Sequence, residues 1–151
     1  MAGYRAADTL SFATTGFVRD TCLCLHVQRA ARAVARRFDE ALRPFDLTNQ
    51  QFSLLMALNR PQAAKMAEVA ALLAMDRTTL TANLKPLERR GLVTVGVDMA
   101  DRRGRLLALA PAGRRLLARA LPAWKSTHRA IDRLLAGGDP DRLRADLRAL
   151  S

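Results

Sequence analysis

Between Lys65 and Arg105 the hydrophobic pattern changes period twice, and that order of elements restricts the possible folds more than any other feature. KMAEVAALLA reads as a helix, MDR as a tight turn, and TTLTANLKPLERRG as a second helix. LVTVGV and LLALAP then read as strands on either side of the basic loop DMADRRGR. A short helical pair followed by an arginine-tipped hairpin is a shape that lays one helix in a DNA groove and reaches the neighbouring groove with a loop.

The residues inside this block are consistent with that shape. Ala70 stands where the two helices must cross closely, and Leu73 and Leu80 supply the small core between them. Asp76 precedes the second helix and can accept hydrogen bonds from its free N–H groups. Leu80, Leu84 and Leu87 repeat at helical spacing and face inward, which leaves Arg77, Thr78, Thr81, Ala82, Lys85 and Arg89 on the outward face. Short hydroxyls, an alanine and flanking cations suit base edges and phosphates. Gly91 supplies the stop. Pro86 removes the bond to the carbonyl of Ala82, so a kink or loosening is expected there; the alternative is a helix that ends at Lys85. At the hairpin tip stand Asp101, Arg102, Arg103, Gly104 and Arg105. The aspartate can orient a neighbouring guanidinium, and a fixed arginine fits a narrow minor groove of enhanced negative potential. An ordinary solvated loop is the competing reading of the tip.

Charge points the same way. The chain of 151 residues carries a net charge of +11, and residues 60–115 hold eleven Lys/Arg against five Asp/Glu, a local excess of +6. That excess favours a polyanion, whereas arginines that are merely solvated are the plainer reading of charge alone. No helix pairs a basic face with an aromatic one, which disfavours a membrane surface. No apolar run approaches the roughly 18–20 residues of a membrane span. The opening MAGYRAADTLSFATTGF lacks a basic start followed by a long apolar core, so a cytoplasmic chain without a signal peptide and without a membrane partner is expected.

The flanks read as helices. From Phe17 to Leu42 apolar residues recur at helical spacing, with Arg29, Arg32, Arg36 and Arg37 on the rest of the circumference, and Pro44 ends the run. Thr48 caps the next helix, QQFSLLMALN, in which Phe52, Leu54, Leu55, Met56 and Leu58 imply burial on most sides. Pro111 opens a long helix with the stripe Leu117, Leu121, Trp124, Ile131 and Leu135, bent at Pro122 and ended by Gly137-Gly138. Asp139-Pro140 starts a last helix in which Leu143, Leu147 and Leu150 share a face. A helix of about a dozen residues is marginal alone, so that leucine face needs a partner: this chain's first helix, a second subunit, or both.

With these elements in order, LTNQQFSLLMAL, LTANLKPLERRGLV and DRRGRLLALAPAG together resemble the MarR family of bacterial transcription regulators over about residues 20–150. The most specific matches are Asp101 with Arg103, followed by Leu107, Leu109 and Gly113. The resemblance implies a mainly α fold with a small β-hairpin (α+β), a winged helix-turn-helix with N- and C-terminal dimerisation helices. It divides the chain into an extension (1–18), a helical dimerisation region (19–45 and 111–151) and a winged helix-turn-helix (46–110). It further implies a homodimer that represses from a pseudo-palindromic operator in double-stranded DNA and is released by a small-molecule effector. By position, Arg77, Thr78, Thr81, Ala82 and Lys85 would read bases and phosphates, and Arg103, oriented by Asp101, would reach the minor groove. Many members carry an arginine where this chain has Ala82.

Effector and redox readings are less constrained. Family effectors are often small aromatic acids, which here would draw on Gln51, Phe52 and Met56, with His26 or Arg29 as carboxylate partners. Cys22 and Cys24 lie in Cys22-x-Cys24-x-His26, where only Cys22 and His26 align on a helix, which is half a metal site at best. Cys24 falls where the peroxide-sensing branch of the family carries its reactive thiol, although Gln28, Phe38 and Asn49 stand where that branch has supporting tyrosines. A buried apolar cysteine is the plainer reading, and oxidant sensing is the alternative. No glycine-rich phosphate loop, HExxH or GxSxG occurs, so neither an enzyme nor a cofactor is expected. A winged helix used for protein contact is the rival of another class, and the cations of the outward face argue against it.

Overall fold

A computed structural model describes residues 10–135 and 137–151. Two units are distinguished, Met1–Ala35 and Arg36–Ser151. In the first, α1 (Phe12–Thr21) is capped by Ser11, whose hydroxyl accepts the N–H of Thr14 at 3.2 Å. Helix α2 (Leu23–Leu42) begins here and continues into the second unit. The single helix expected from Phe17 onward is therefore two, broken at Cys22, which takes an extended backbone with ψ 105°. The Thr21 hydroxyl donates to the carbonyl of Phe17 at 2.7 Å, a bond that competes with regular helix and favours a stop. Residues 12–18 of the expected extension are thus helical, and residues 1–9 lie outside the described residues.

In the second unit, a 3-10 turn (Arg43–Phe45) holds Pro44, and α3 (Asn49–Ala57) follows a complete capping box. Thr48 Oγ1 accepts the N–H of Gln51 at 3.2 Å, and Gln51 Oε1 accepts that of Thr48 at 3.1 Å. A short strand β1 (Ala64–Lys65) leads into α4 (Met66–Leu72), then α5 (Arg77–Arg89), β2 (Val93–Val97) and β3 (Arg105–Leu109). The sheet is antiparallel in the order β1-β3-β2, with Val93 opposite Leu109 and Ala64 opposite Leu107. The third strand was not expected, because two residues are too few to show a period.

Helix α4 ends earlier than its alanine-rich sequence suggests. Ala74 has φ +49°; its N–H reaches the carbonyl of Ala71 at 3.2 Å, and that of Met75 reaches Ala70 at 3.0 Å. This is a Schellman stop built on alanine rather than glycine. The turn between the helices is therefore Leu73–Asp76, and Arg77, expected in the turn, is the first residue of α5. The same stop recurs at the end of α5 on Gly91 (φ +68°), with Leu92 N–H on Leu87 at 2.9 Å. Helix α5 passes through Pro86 to Arg89, which overturns the alternative end at Lys85.

The core joins Leu42, Leu54, Leu55, Leu58, Val69, Leu80, Leu87 and Leu107, all essentially inaccessible. Met56, expected among them, is exposed. Helix α6 (Pro111–Leu134) leaves β3 beside Leu92, and Gly113 makes that approach possible: a Cβ there would lie 2.2 Å from the Leu92 carbonyl oxygen. Along α6, Trp124 stacks on Phe38, Phe52 and His128, with ring centroids 5.9, 6.0 and 4.9 Å apart. Helix α7 (Pro140–Arg148) is capped by Asp139 and tied to α6 by Arg144, which donates to Asp132. Its Leu143 and Leu147 are exposed, and Leu150 lies beyond its end. Among the described residues no helix is long and apolar enough to cross a membrane.

Candidate nucleic-acid interface

Helix α5 is held from below and left bare above. Leu80, Leu84 and Leu87 are buried, and the Asn83 amide bonds to Gln50 of α3 at 3.0 Å. The outward side chains expected from the sequence share one face: Arg77, Thr78, Thr81, Ala82 and Lys85 surround a shallow depression of about 410 Å³. Thr81 donates its hydroxyl to the carbonyl of Arg77 at 2.7 Å, which leaves its oxygen lone pairs and its methyl group for other contacts. Arg89 is exposed one turn further along, outside that depression. Its neighbour Arg90 is used structurally, donating to the carbonyls of Asp46 at 2.5 Å and Phe45 at 3.2 Å.

Asp76 caps α5 through the N–H and the hydroxyl of Thr79, each at 2.8 Å. Those bonds, the backbone one first, hold its carboxyl below the usual carboxylate range.

On the wing, Asp101 acts differently from the sequence expectation. Its Oδ1 accepts the backbone N–H of Arg103 at 3.1 Å, and its carbonyl accepts that of Gly104 at 2.8 Å. The aspartate therefore shapes the chain that carries Arg103 instead of pairing with the guanidinium. Arg105 folds back on the loop, donating to the carbonyl of Gly104 at 3.2 Å, while Arg102 is exposed. Between wing and helices runs a groove of about 470 Å³ whose cations are Lys65, Arg77, Arg103 and Arg105. It joins α5 to the wing through Arg77. Sequence reading missed two of its charged residues, Lys65 on β1 and the buried Asp98, which begins the loop. The spacing of Asp98 to Ala100 is that of an Asx turn, a signal that could have been used.

The expected effector residues divide. Phe52 and Met56 of α3 line an apolar cavity of about 320 Å³ with Leu72 and Leu73 from the end of α4 and Leu121 and Trp124 of α6. Ser53 brings the only hydroxyl, and no lining side chain is charged. Gln51 is engaged in the capping box. His26, Arg29 and Cys24 belong to the first unit, on α2. His26 Nδ1 lies 2.8 Å from the Cys22 carbonyl oxygen. Cys24, read as buried, is exposed and accepts a hydrogen bond from Gln28 Nε2 at 3.3 Å.

Comparison with known proteins gives a consistent result. The model of the MarR family matches residues 45–104. The transcriptional regulator TtmR of Methylorubrum extorquens is 34% identical over 97 residues, covering 64% of this chain and 50% of TtmR. The chain thus spans about half the length of that curated relative. Among solved structures, the Mycobacterium tuberculosis regulator MosR in complex with DNA is 38% identical, covering 85% of this chain and 92% of MosR, with a TM-score of 0.77. The repressor CouR of Rhodococcus jostii, bound to a 23-mer DNA duplex, is 31% identical, covering 95% and 96%, with a TM-score of 0.70. With the helix-turn-helix, the three-stranded wing and the glycine crossing in place, these similarities establish that the chain is a winged helix-turn-helix protein of the MarR family of transcription regulators.

Proposed function

We propose that the protein binds double-stranded DNA as a homodimer, reads a near-palindromic operator with α5, and represses until a small ligand releases it. One observation carries the DNA reading: five outward side chains of α5 surround a single open depression, and Arg77 joins it to a groove bearing three further cations. Hydroxyls flanked by cations recognise bases and phosphates together. That MosR and CouR were both solved on DNA supports the same assignment. The dimer is supported by the exposed Phe12, Phe17 and Leu23 of α1 and α2 and by Leu143 and Leu147 of α7, apolar surface that a monomer would leave in water.

The effector reading rests on the apolar cavity. Its lining of Phe52, Trp124 and five aliphatic or thioether side chains suits a planar aromatic ring, and an acid group on such a ligand would have to stay at the mouth. CouR was also solved with p-coumaroyl-CoA. Because Leu72 and Leu73 lead into the turn before α5, a ligand that displaces them shifts the reading helix.

Selection of bound duplexes from a random pool tests the DNA reading. The expected result is a two-fold site with half-sites roughly 34 Å apart. Binding with no sequence preference at any salt concentration would overturn it. Sedimentation of a folded, fully helical monomer at micromolar concentration would overturn the dimer.

A further inference from the structure

Asp98 is the buried charged residue of this molecule among those described, 7% exposed at the floor of a groove whose cations are Lys65, Arg77, Arg103 and Arg105. A carboxylate there repels phosphates, so direct contact with a polyanion does not explain it. Its bonds suggest another role. Oδ1 accepts the N–H of Ala100 at 2.9 Å, and Oδ2 faces Lys65 Nζ of β1 at 3.9 Å. The backbone N–H of Asp98 donates to the carbonyl of Gly104 at 3.3 Å, closing the loop at its base. Gly104 packs so tightly on it that an added Cβ would stand 3.2 Å from the Cβ of Asp98 and 3.1 Å from the Asp101 carbonyl oxygen. Both limbs of the wing and the neighbouring strand therefore converge on one residue, the Gly104 limb at its backbone and Cβ, and Ala100 and Lys65 at its carboxylate.

We infer that Asp98 is a positioning residue for DNA recognition: it fixes the departure of the wing, with Lys65 as its counter-ion, and so sets where Arg103 meets the flanking minor groove. This rests on the DNA-binding reading above. The mechanism is local. A buried carboxylate that satisfies a backbone N–H is costly to displace, because moving it leaves both groups without partners. The loop Met99–Gly104 has no hydrophobic core of its own to hold it, and Met99 is 88% exposed.

The test uses the full-length protein and one operator core with either A/T-rich or G/C-rich flanks. The ratio of the two affinities reads the placement of Arg103. Asp98→Ala is expected to lower that ratio at least threefold, to the value given by Arg103→Ala, and to add nothing further in the double variant. Gly104→Ala, which disturbs the same base by crowding and leaves every charge in place, should do likewise. Asp98→Asn keeps an oxygen for Ala100 and should retain most of the ratio. Hydrogen exchange without DNA provides a separate readout: in Asp98→Ala the amides of Ala100 and Gly104 should exchange at least tenfold faster, with those of Leu80 and Leu84 in α5 unchanged.

A wild-type flank ratio in Asp98→Ala with tighter binding overall would show a merely repulsive charge and overturn the inference. So would losses that add to those of Arg103→Ala, or equal weakening on all sequences together with faster exchange throughout α5. If the wild type holds no duplex at all, the regulator reading itself fails. The exchange data then stand as a separate fact about the wing.

Discussion

Asp76 and Thr79 are joined twice: one carboxylate oxygen accepts the backbone N–H of Thr79 at 2.8 Å, the other its hydroxyl at 2.8 Å. This pair sets the first turn of α5, at Arg77 and Thr78. Its carboxyl is held below the usual range by those bonds. A depressed folded pKa means that the stabilisation is complete above the unfolded aspartate value of about 4 and is lost as pH falls through the folded value. Melting temperature measured from pH 6 downward should therefore fall more steeply below about pH 4 in the wild type than in Asp76→Asn, whose amide caps without titrating. Asp76→Ala should melt lower at every pH. Parallel curves for wild type and Asp76→Asn would show that the cap carries no charge-dependent stability.

Ala74 gives a stabilising prediction. Its φ of +49° puts an alanine where glycine is the usual residue. Its side chain is exposed, so Ala74→Gly removes no packing. Relief of left-handed strain, about 1–2 kcal/mol, exceeds the added entropy of the unfolded chain, about 0.4–1 kcal/mol. A net gain of about 0.5 kcal/mol is expected in urea unfolding, and Ala74→Val should lose stability. No gain from glycine would mean that the turn is not held in this conformation in solution.

How much could be read from the sequence differs from element to element. Leu80, Leu84 and Leu87 fixed the inward face of α5, and the complementary face followed by subtraction, because a buried face on one side of a helix dictates the other. Asp76, Thr48 and Asp139 marked helix starts, since a cap needs only its own side chain and the next turn. Features that depend on a single backbone angle were not legible. The break at Cys22 and the stop at Ala74 leave the hydrophobic spacing intact, and neither residue type marks a helix end. Pairings between distant segments were also hidden. Lys65 meets Asp98 only because β1 joins the sheet beside β3, and two residues of strand carry no period. Asp101 meets the backbone N–H of Arg103 rather than its guanidinium, and sequence could not choose between them because both are equally close along the chain.

Gly113 tests the crossing of α6 over the start of β2. A Cβ at this position would meet the Leu92 carbonyl oxygen at 2.2 Å and Leu109 Cδ1 at 2.7 Å. Backbone cannot yield as a flexible side chain does, so Gly113→Ala should cost about 1–3 kcal/mol or more despite alanine's better helix propensity. Denaturant unfolding measures this directly. A neutral or stabilising result would place α6 further from Leu92 than described.

Trp124 is the only tryptophan of the chain and lines the apolar cavity, so its fluorescence reports occupancy without a label. Addition of p-cresol, a small aromatic that is neutral at pH 7, should change the emission saturably. Ala57→Leu, which places a larger side chain in the same cavity, should weaken that response at least tenfold while helicity is kept. An equal response in both proteins would mean that the ligand sits elsewhere.

How DNA is held is the broadest prediction. In the proposed dimer each subunit offers Arg77, Lys85 and Arg89 on α5 and Arg102, Arg103 and Arg105 at the wing. If about three or four of these reach phosphates in each half of a dimer, log affinity should fall against log salt with a slope of about −5 to −7. Lys85→Ala, present twice per dimer, should reduce that slope by about 2. Thr81→Ala should relax preference at one base position per half-site, at a cost of about 1–3 kcal/mol on the preferred sequence and little on others. Arg103→Ala should leave that position unchanged and weaken binding most where the flanks are A/T-rich, because in the proposed binding mode it reads a narrow minor groove. The two variants act on different parts of the site because Thr81 lies at the depression on α5 and Arg103 in the groove at the wing, with Arg77 common to both. Equal losses for Thr81→Ala and Arg103→Ala on every duplex, random DNA included, would show that α5 is not the element that reads sequence.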